Sequence, residues 1–211
     1  GRGIRLGFFD HYGNILGYFV PAKDHISVKT ALKQYACFAD REKHLAVAKE
    51  LEEAMLHNLR ANLRYYISRK HGGLEKWNDE LTLWISKAGS AHSIGELLLI
   101  EAKARQKYYS AFNIIMKNTD FAFRKRSRRP PEDELNAMIS FGNTLLYNRF
   151  LQIIWRTSLD PRIGIVHTSE RRPFSLNLDF ADLFKPIITD RIIFSLVNRC
   201  RIRKEEHFYV P

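Results

Sequence analysis

Glu101 interrupts a helical stripe that is otherwise apolar or small. Between Ser93 and Met116, the residues Leu97, Glu101, Ala104, Tyr108, Ala111 and Ile115 recur every three or four positions, the spacing of one helix face. A carboxylate on such a face costs several kcal/mol if it stays charged and alone. It therefore needs a cation or a proton. One cation lies a turn further on, Arg105, in an i,i+4 pair. The other candidate is a bound metal whose remaining ligands come from elsewhere in the chain. Far downstream, His167 follows a short apolar run, Ile163 to Val166, that reads as a strand. Asp179 and Asp182 then open a helical pattern carrying Leu183, Ile187, Phe194 and Val197. Three residues apart, the two aspartates share a helix face. They also fall in a first turn, where the helix dipole favours negative charge. Asp179 can thus be an N-cap and Asp182 a first-turn acid with no chemistry, and His167 an ordinary hydrogen-bonded side chain.

Taken together with their surroundings, these residues resemble a known family. IEAKARQKYY around Glu101, RPPEDELNAMISFGNTLLYN from Arg129, LDPRIGIVH ending at His167 and SLNLDFADLFKPIITDRIIFSLVN from Ser175 are similar to segments of the CRISPR-associated endonuclease/integrase, the catalytic subunit of spacer acquisition. The resemblance covers nearly the whole chain in family order. It implies that Glu101, His167 and Asp182 bind a divalent cation, Mg²⁺ or Mn²⁺, with Asp179 in a supporting role beside it. Two carboxylates suit a hard cation, and an added imidazole makes a mixed site that tolerates Mn²⁺. A cation there would neutralise phosphate charge and lower the pKa of a bound water or hydroxyl. The implied reaction is insertion of new spacers: the 3′-hydroxyl of incoming double-stranded DNA, the protospacer, attacks a phosphodiester at the boundary of the CRISPR repeat. The implied assembly is a homodimer, two of which are bridged by a small ferredoxin-like adaptation partner.

The segment FRKRSRRPP crowds Arg124, Lys125, Arg126, Arg128 and Arg129 between two helical patterns. Such a run is either a solvated loop that pairs with acids such as Glu132 and Asp133, or a contact to DNA phosphates. Arg171 and Arg172 could add contacts near His167. A non-catalytic DNA-binding helical scaffold, with Glu101 paired to Arg105 and no metal, is the competing reading.

The elements that must position these residues read as mainly α. Alternation at Ile4, Leu6 and Phe8, a turn at HYGN, and alternation again at Leu16, Tyr18 and Val20 predict a β-hairpin before Pro21. In the family's terms, residues 1–21 are the remnant of an N-terminal β-rich dimerisation domain. Residues 22–26 form a linker, and 27–211 the α-helical catalytic domain. Helices are expected from Ser27 to Phe38 and from Asp40 onward, with Leu51, Met55, Leu59, Leu63 and Tyr66 on one face. His71 to Gly73 ends the latter. Further helices are expected over Leu74–Ser86, over Ser93–Met116 and from Pro130 to about Ile154. The last of these carries an apolar stripe of Leu135, Ile139, Gly142, Leu146 and Ile153. Gly142 within that stripe predicts close approach of a neighbouring helix. Pro186 is expected to kink the final helix, either tilting Asp182 or only bending the helix around the core.

Composition sets the outer bounds. A chain of 211 residues that is 45% hydrophobic folds around a core. Lys and Arg outnumber Asp and Glu by 34 to 23, giving net +11, a balance that favours polyanions. The apolar runs are far shorter than the roughly 20 residues of a membrane span. Cys37 and Cys200 lack metal-type spacing, so a reducing cytoplasm is the expected setting; the family resemblance implies a prokaryotic one.

Overall fold

The long helix starts where Asp40 stops the preceding one. Its carboxylate accepts the backbone N–H groups of Glu42 and Lys43 at 3.2 and 3.1 Å, so it caps α2 (Arg41–Ile67) while closing α1 (Val28–Ala39). The computed structural model describes residues 6–11, 15–20, 27–70, 72–128, 130–168 and 173–208. Within them, α2 is the central element. Met55, Leu56, Leu59, Leu63 and Tyr66 on its inward face are buried, and α3 (Glu75–Gly89), α4 (Ile94–Ser110) and α7 (Leu176–Phe184) pack against it. Beyond Ile67 the left-handed backbone falls at Lys70 and Gly73; of the expected stop signal, His71 lies outside the described residues.

Helix α4 has a reciprocal start. Ser93 accepts from Glu96 N at 3.2 Å, and the Glu96 carboxylate accepts the N–H of His92. The stripe expected from the sequence is buried along its whole length, but the helix is not continuous to Met116. It breaks at Ala111 and resumes as α5 (Phe112–Ile115), which sets Phe112 edge-on against Tyr108 and Phe194. A short 3-10 turn, Thr119–Phe121, follows.

Helix α6 (Glu134–Ile154) begins four residues later than its prolines suggest. Asp133 is the cap, accepting Asn136 N at 2.7 Å; a carboxylate that satisfies a free N–H outcompetes a proline that merely lacks one. Its stripe also turns at the end: Ile154 is buried, while Ile153 is exposed. Gly142 does mark a close approach, since a Cβ there would sit 2.6 Å from Thr189 Cγ2. At Pro186 the helical pattern changes its hydrogen-bond register. Helix α7 stops at Phe184, a π-turn spans Pro186–Asp190, with Asp190 N donating to Lys185 O at 3.0 Å, and α8 (Arg191–Asn198) continues. Thr189, delivered by that turn, is what meets Gly142. A last turn, α9 (Lys204–His207), closes the described chain.

Strands β1 (Leu6–Phe9) and β2 (Ile15–Phe19) pair antiparallel, Leu6 opposite Phe19 and Phe8 opposite Gly17. The hairpin touches the helices through Tyr18, whose ring lies 4.4 Å from that of Trp155. Ile4, most of the expected turn and the linker fall outside the described residues. The strand expected over Ile163–Val166 does not form. Those residues are a loop whose backbone is held by side chains, because the N–H groups that a ladder would use go to a carboxylate instead.

Candidate metal centre

Glu101 from α4, His167 from the loop and Asp182 from α7 converge. Each offers a ligand atom within 4.8 Å of the others. His167 Nε2 lies 3.6 Å from Glu101 Oε2 and 4.0 Å from Asp182 Oδ2. The carboxylates are nearly closed off, with side chains 9% exposed, whereas the imidazole is 29% exposed, so the group opens to solvent on the histidine side.

Asp179 explains why the histidine stands where it does. It is not an N-cap: Ser175 occupies that position. Its fully buried carboxylate accepts the backbone N–H groups of Ile165, Val166 and His167. It also meets His167 Nδ1 at 2.9 Å. A carboxylate only accepts, so Nδ1 carries the proton and Nε2 presents its lone pair to Glu101 and Asp182. The other side of the loop is gripped from α1 and α2. Gln34 accepts from Asp160 N at 2.7 Å and donates to the carbonyls of Asp160 and Ile163, and His44 Nε2 lies 2.6 Å from the Ile165 carbonyl. At Gly164 a side chain would run into the His167 carbonyl and Ser175.

The expected Glu101–Arg105 pair also exists, and it extends to the other acid. Arg105 Nε donates to Glu101 Oε1 at 2.6 Å, and its second nitrogen lies 2.9 Å from Asp182 Oδ2. Lys185, one turn after Asp182, pairs with Asp182 Oδ1 while lying 4.6 Å over the Tyr147 ring. Burial works against the charged form of Asp182, but Lys185 and Arg105 outweigh it and hold the carboxyl well below its usual range. For His167, burial works against the imidazolium. The Asp179 hydrogen bond and the Glu101 and Asp182 charges outweigh it, so its pKa stands above 6.5.

Sequence reading missed Glu52. It lies on the inward face of α2, buried among Ala48, Met55 and Leu56. Burial, then the charge of Glu101, pushes its pKa up to about 9. The signal was present: an acid on an apolar stripe, the feature that singled out Glu101.

The basic stretch divides. Arg124, Lys125 and Arg128 are exposed, and Lys125 pairs with Glu132 at 3.1 Å. Arg126 instead turns inward, to Asn136 Oδ1 and Ser140 Oγ, both at 2.9 Å. It pins the segment to α6 rather than facing outward. Arg129, Arg171 and Arg172 lie outside the described residues.

Residues 1–210 match the family described as CRISPR associated protein Cas1. The chain belongs to the Cas1 family. It is 40% identical over 212 residues to CRISPR-associated endonuclease Cas1 2 of Thermodesulfovibrio yellowstonii, covering 97% of this chain and 62% of that protein. To the CRISPR-associated endonuclease Cas1 of Thermotoga maritima it is 39% identical, over 97% and 61%. The solved structure of a Cas1 protein from Thermotoga maritima superposes with a TM-score of 0.85 at 37% identity, over 98% of this chain and 64% of that one. A casposase bound to its integration product has the same fold, with a TM-score of 0.83 at 23% identity over 99% and 57% of the two chains. This Cas1 chain thus spans about three fifths of the length of the curated relatives it matches. Among its described residues no helix is long and apolar enough to cross a membrane.

The donor set of the Cas1 site fits a small divalent ion. Bonds of about 2.1 Å place neighbouring donors about 3 Å apart and opposite ones about 4 Å apart. The observed 3.6 and 4.0 Å lie within that span. Two oxygens and one nitrogen suit Mg²⁺ or Mn²⁺.

Proposed function

We propose that this chain is the catalytic helical part of a divalent-metal-dependent DNA endonuclease/integrase that inserts new spacers into CRISPR arrays. The observation that carries this reading is the convergence of Glu101, His167 and Asp182, from three separate elements, on one solvent-facing point. Their ligand is Mg²⁺ or Mn²⁺, which supplies Lewis-acid neutralisation of a phosphate and a more acidic hydroxyl. The chain's own residues do the rest. Arg105 and Lys185 fix the two carboxylates, Asp179 fixes the imidazole, and exposed Arg124, Lys125 and Arg128 bear on phosphates without reading bases. Arg129, next in sequence, belongs to the same proposed contact, and Arg126 shapes it. In the joining step a DNA 3′-hydroxyl gives up its proton to solvent as its oxygen forms a new bond to phosphorus. The existing P–O3′ bond at the repeat boundary breaks, and the departing oxygen takes up a proton. Water in place of the 3′-hydroxyl gives cleavage. The substrates are protospacer and repeat DNA, and the working assembly is two homodimers bridged by a small ferredoxin-like partner; solved Cas6-RT-Cas1–Cas2 complexes contain chains of this fold. The test is Mn²⁺-dependent joining of a duplex with free 3′-hydroxyls to repeat DNA. A 3′-deoxy duplex is expected to yield no joined product, and joining without a divalent ion would overturn the reading.

The Arg105 bridge favours the second reading, a non-catalytic DNA-binding scaffold in which that arginine, together with Lys185, neutralises the acids and no metal binds. The two readings part on pH. A protonated imidazole cannot ligate, so Mn²⁺ affinity is expected to fall about tenfold per pH unit below the raised His167 pKa. The stability that the imidazolium lends runs oppositely, full below pH of about 6.5 and lost as pH rises through the raised value. Calorimetric Mn²⁺ titrations between about pH 8 and pH 5.5 check this; affinity flat across that window would remove His167 from the site.

A further inference from the structure

We propose that Arg69 and Arg191, stacked on the ring of Tyr65, form a clamp for a DNA phosphate, apart from both the metal centre and the 124–129 segment. The proposal rests on the functional reading above and adds a second backbone contact to it. Tyr65 lies in the last turn of α2. The guanidinium carbon of Arg69, in the turn that follows, stands 3.7 Å from the centre of that ring. That of Arg191, at the start of α8, stands 3.9 Å from it. One ring face has no room for two guanidinium groups at that distance, so the ring is held between them. Tyr65 is itself anchored. It meets Tyr66 edge-on at 5.0 Å, and Tyr66 meets the buried Phe194 in the same way at 5.6 Å. The two cations are thus fixed against the core rather than swinging on free side chains.

Among the described residues, neither arginine forms an ion pair with a carboxylate. Asp190, next to Arg191 in the chain, is buried and accepts from Tyr108 at 3.0 Å instead. Two positive charges on one ring repel each other, and a shared anion relieves that repulsion. A stacked guanidinium keeps its N–H donors in its own plane, free to grip phosphate oxygens past the edge of the ring. Arg69 is exposed and Arg191 half-buried, so solvent and ligand reach the pair. The stack is also placed for a strand that runs to the metal. Asn58 of α2 donates to the carbonyl of Leu183, beside Asp182, at 2.8 Å. Tyr65 lies about two helical turns further along α2, about 10 Å away. Arg191 follows the π-turn that begins after Asp182 and Lys185. Both elements therefore lead from the metal centre to the stack, a span of about three base-pair steps.

The test compares wild type with the double variant Arg69→Gln/Arg191→Gln. Binding to a labelled DNA duplex is followed between about 50 and 200 mM salt, alongside Mn²⁺-dependent strand joining, Mn²⁺ titration and thermal unfolding. The control, Lys29→Gln/Lys33→Gln, removes the same charge from exposed positions of α1, beyond the opposite end of α2. The stack variant is expected to bind duplex about tenfold more weakly, with a salt slope shallower by about 1. The loss falls on KM, while kcat at saturating DNA and Mn²⁺ affinity stay at wild-type values. Tyr65→Leu keeps both arginines but removes the ring that fixes them, and is expected to lose about threefold in affinity. The control is expected to lose less than about twofold. Stack variants that bind DNA as the control does would overturn the assignment and leave the metal site intact. If wild type itself bound no DNA at low salt, both the assignment and the functional reading would fall.

Discussion

Glu101→Gln and Asp182→Asn are each expected to lose about 10³-fold or more of metal-dependent cleavage and strand joining, with duplex DNA affinity unchanged. These amides are better probes than alanine. Lys185 is buried beside Asp182, so Asp182→Ala strands an ammonium in the core, at a cost of about 3–5 kcal/mol. Loss of activity would then be confounded with loss of fold. Glu101→Gln leaves Arg105 its partner in Asp182 and keeps an oxygen at the position of Oε1. The readouts are strand joining with Mn²⁺, filter binding to duplex DNA and the unfolding transition. Should both variants join DNA at wild-type rates, the metal centre is not the seat of catalysis and the scaffold reading stands.

How much of this was legible beforehand follows from the range of each interaction. The stripe through Leu97, Glu101, Ala104 and Tyr108 is a local pattern, and it came out buried as read. So did the close approach at Gly142, because a helical glycine is informative wherever side chains would collide. What failed was also local in cause: Asp133 displaced the prolines as the start of α6, and one backbone break at Ala111 divided a helix whose stripe gave no warning. Loop 159–167 was illegible for a different reason. Its shape is set by Gln34, more than a hundred positions earlier, and by Asp179 twelve positions later, and no pattern within the loop encodes either. The apolar run Ile163–Val166 therefore read as a strand, since nothing adjacent in sequence showed that a carboxylate would take its N–H groups. Glu52 was readable in principle by the rule applied to Glu101.

Asp179→Ala is expected to lower stability by about 3 kcal/mol and Mn²⁺ affinity by about 10- to 100-fold. Four donors lose their acceptor at once: three backbone N–H groups and Nδ1–H of His167. A buried donor left unpaired costs about 1–3 kcal/mol; Val166 is buried and cannot turn to water, while the half-buried Ile165 and His167 recover part of the loss by hydration. Asparagine does not rescue the site. Oδ1 accepts from His167 and Oδ2 from Ile165 and Val166, so either orientation of an amide turns an NH₂ group toward two donors. Asp179→Asn should therefore fall close to alanine in both measurements, unlike a site where charge alone mattered. Urea unfolding paired with Mn²⁺ titration decides. If Asp179→Ala unfolds and binds as wild type does, the imidazole is held by something else and the pre-set Nε2 lone pair is lost as an explanation of the site.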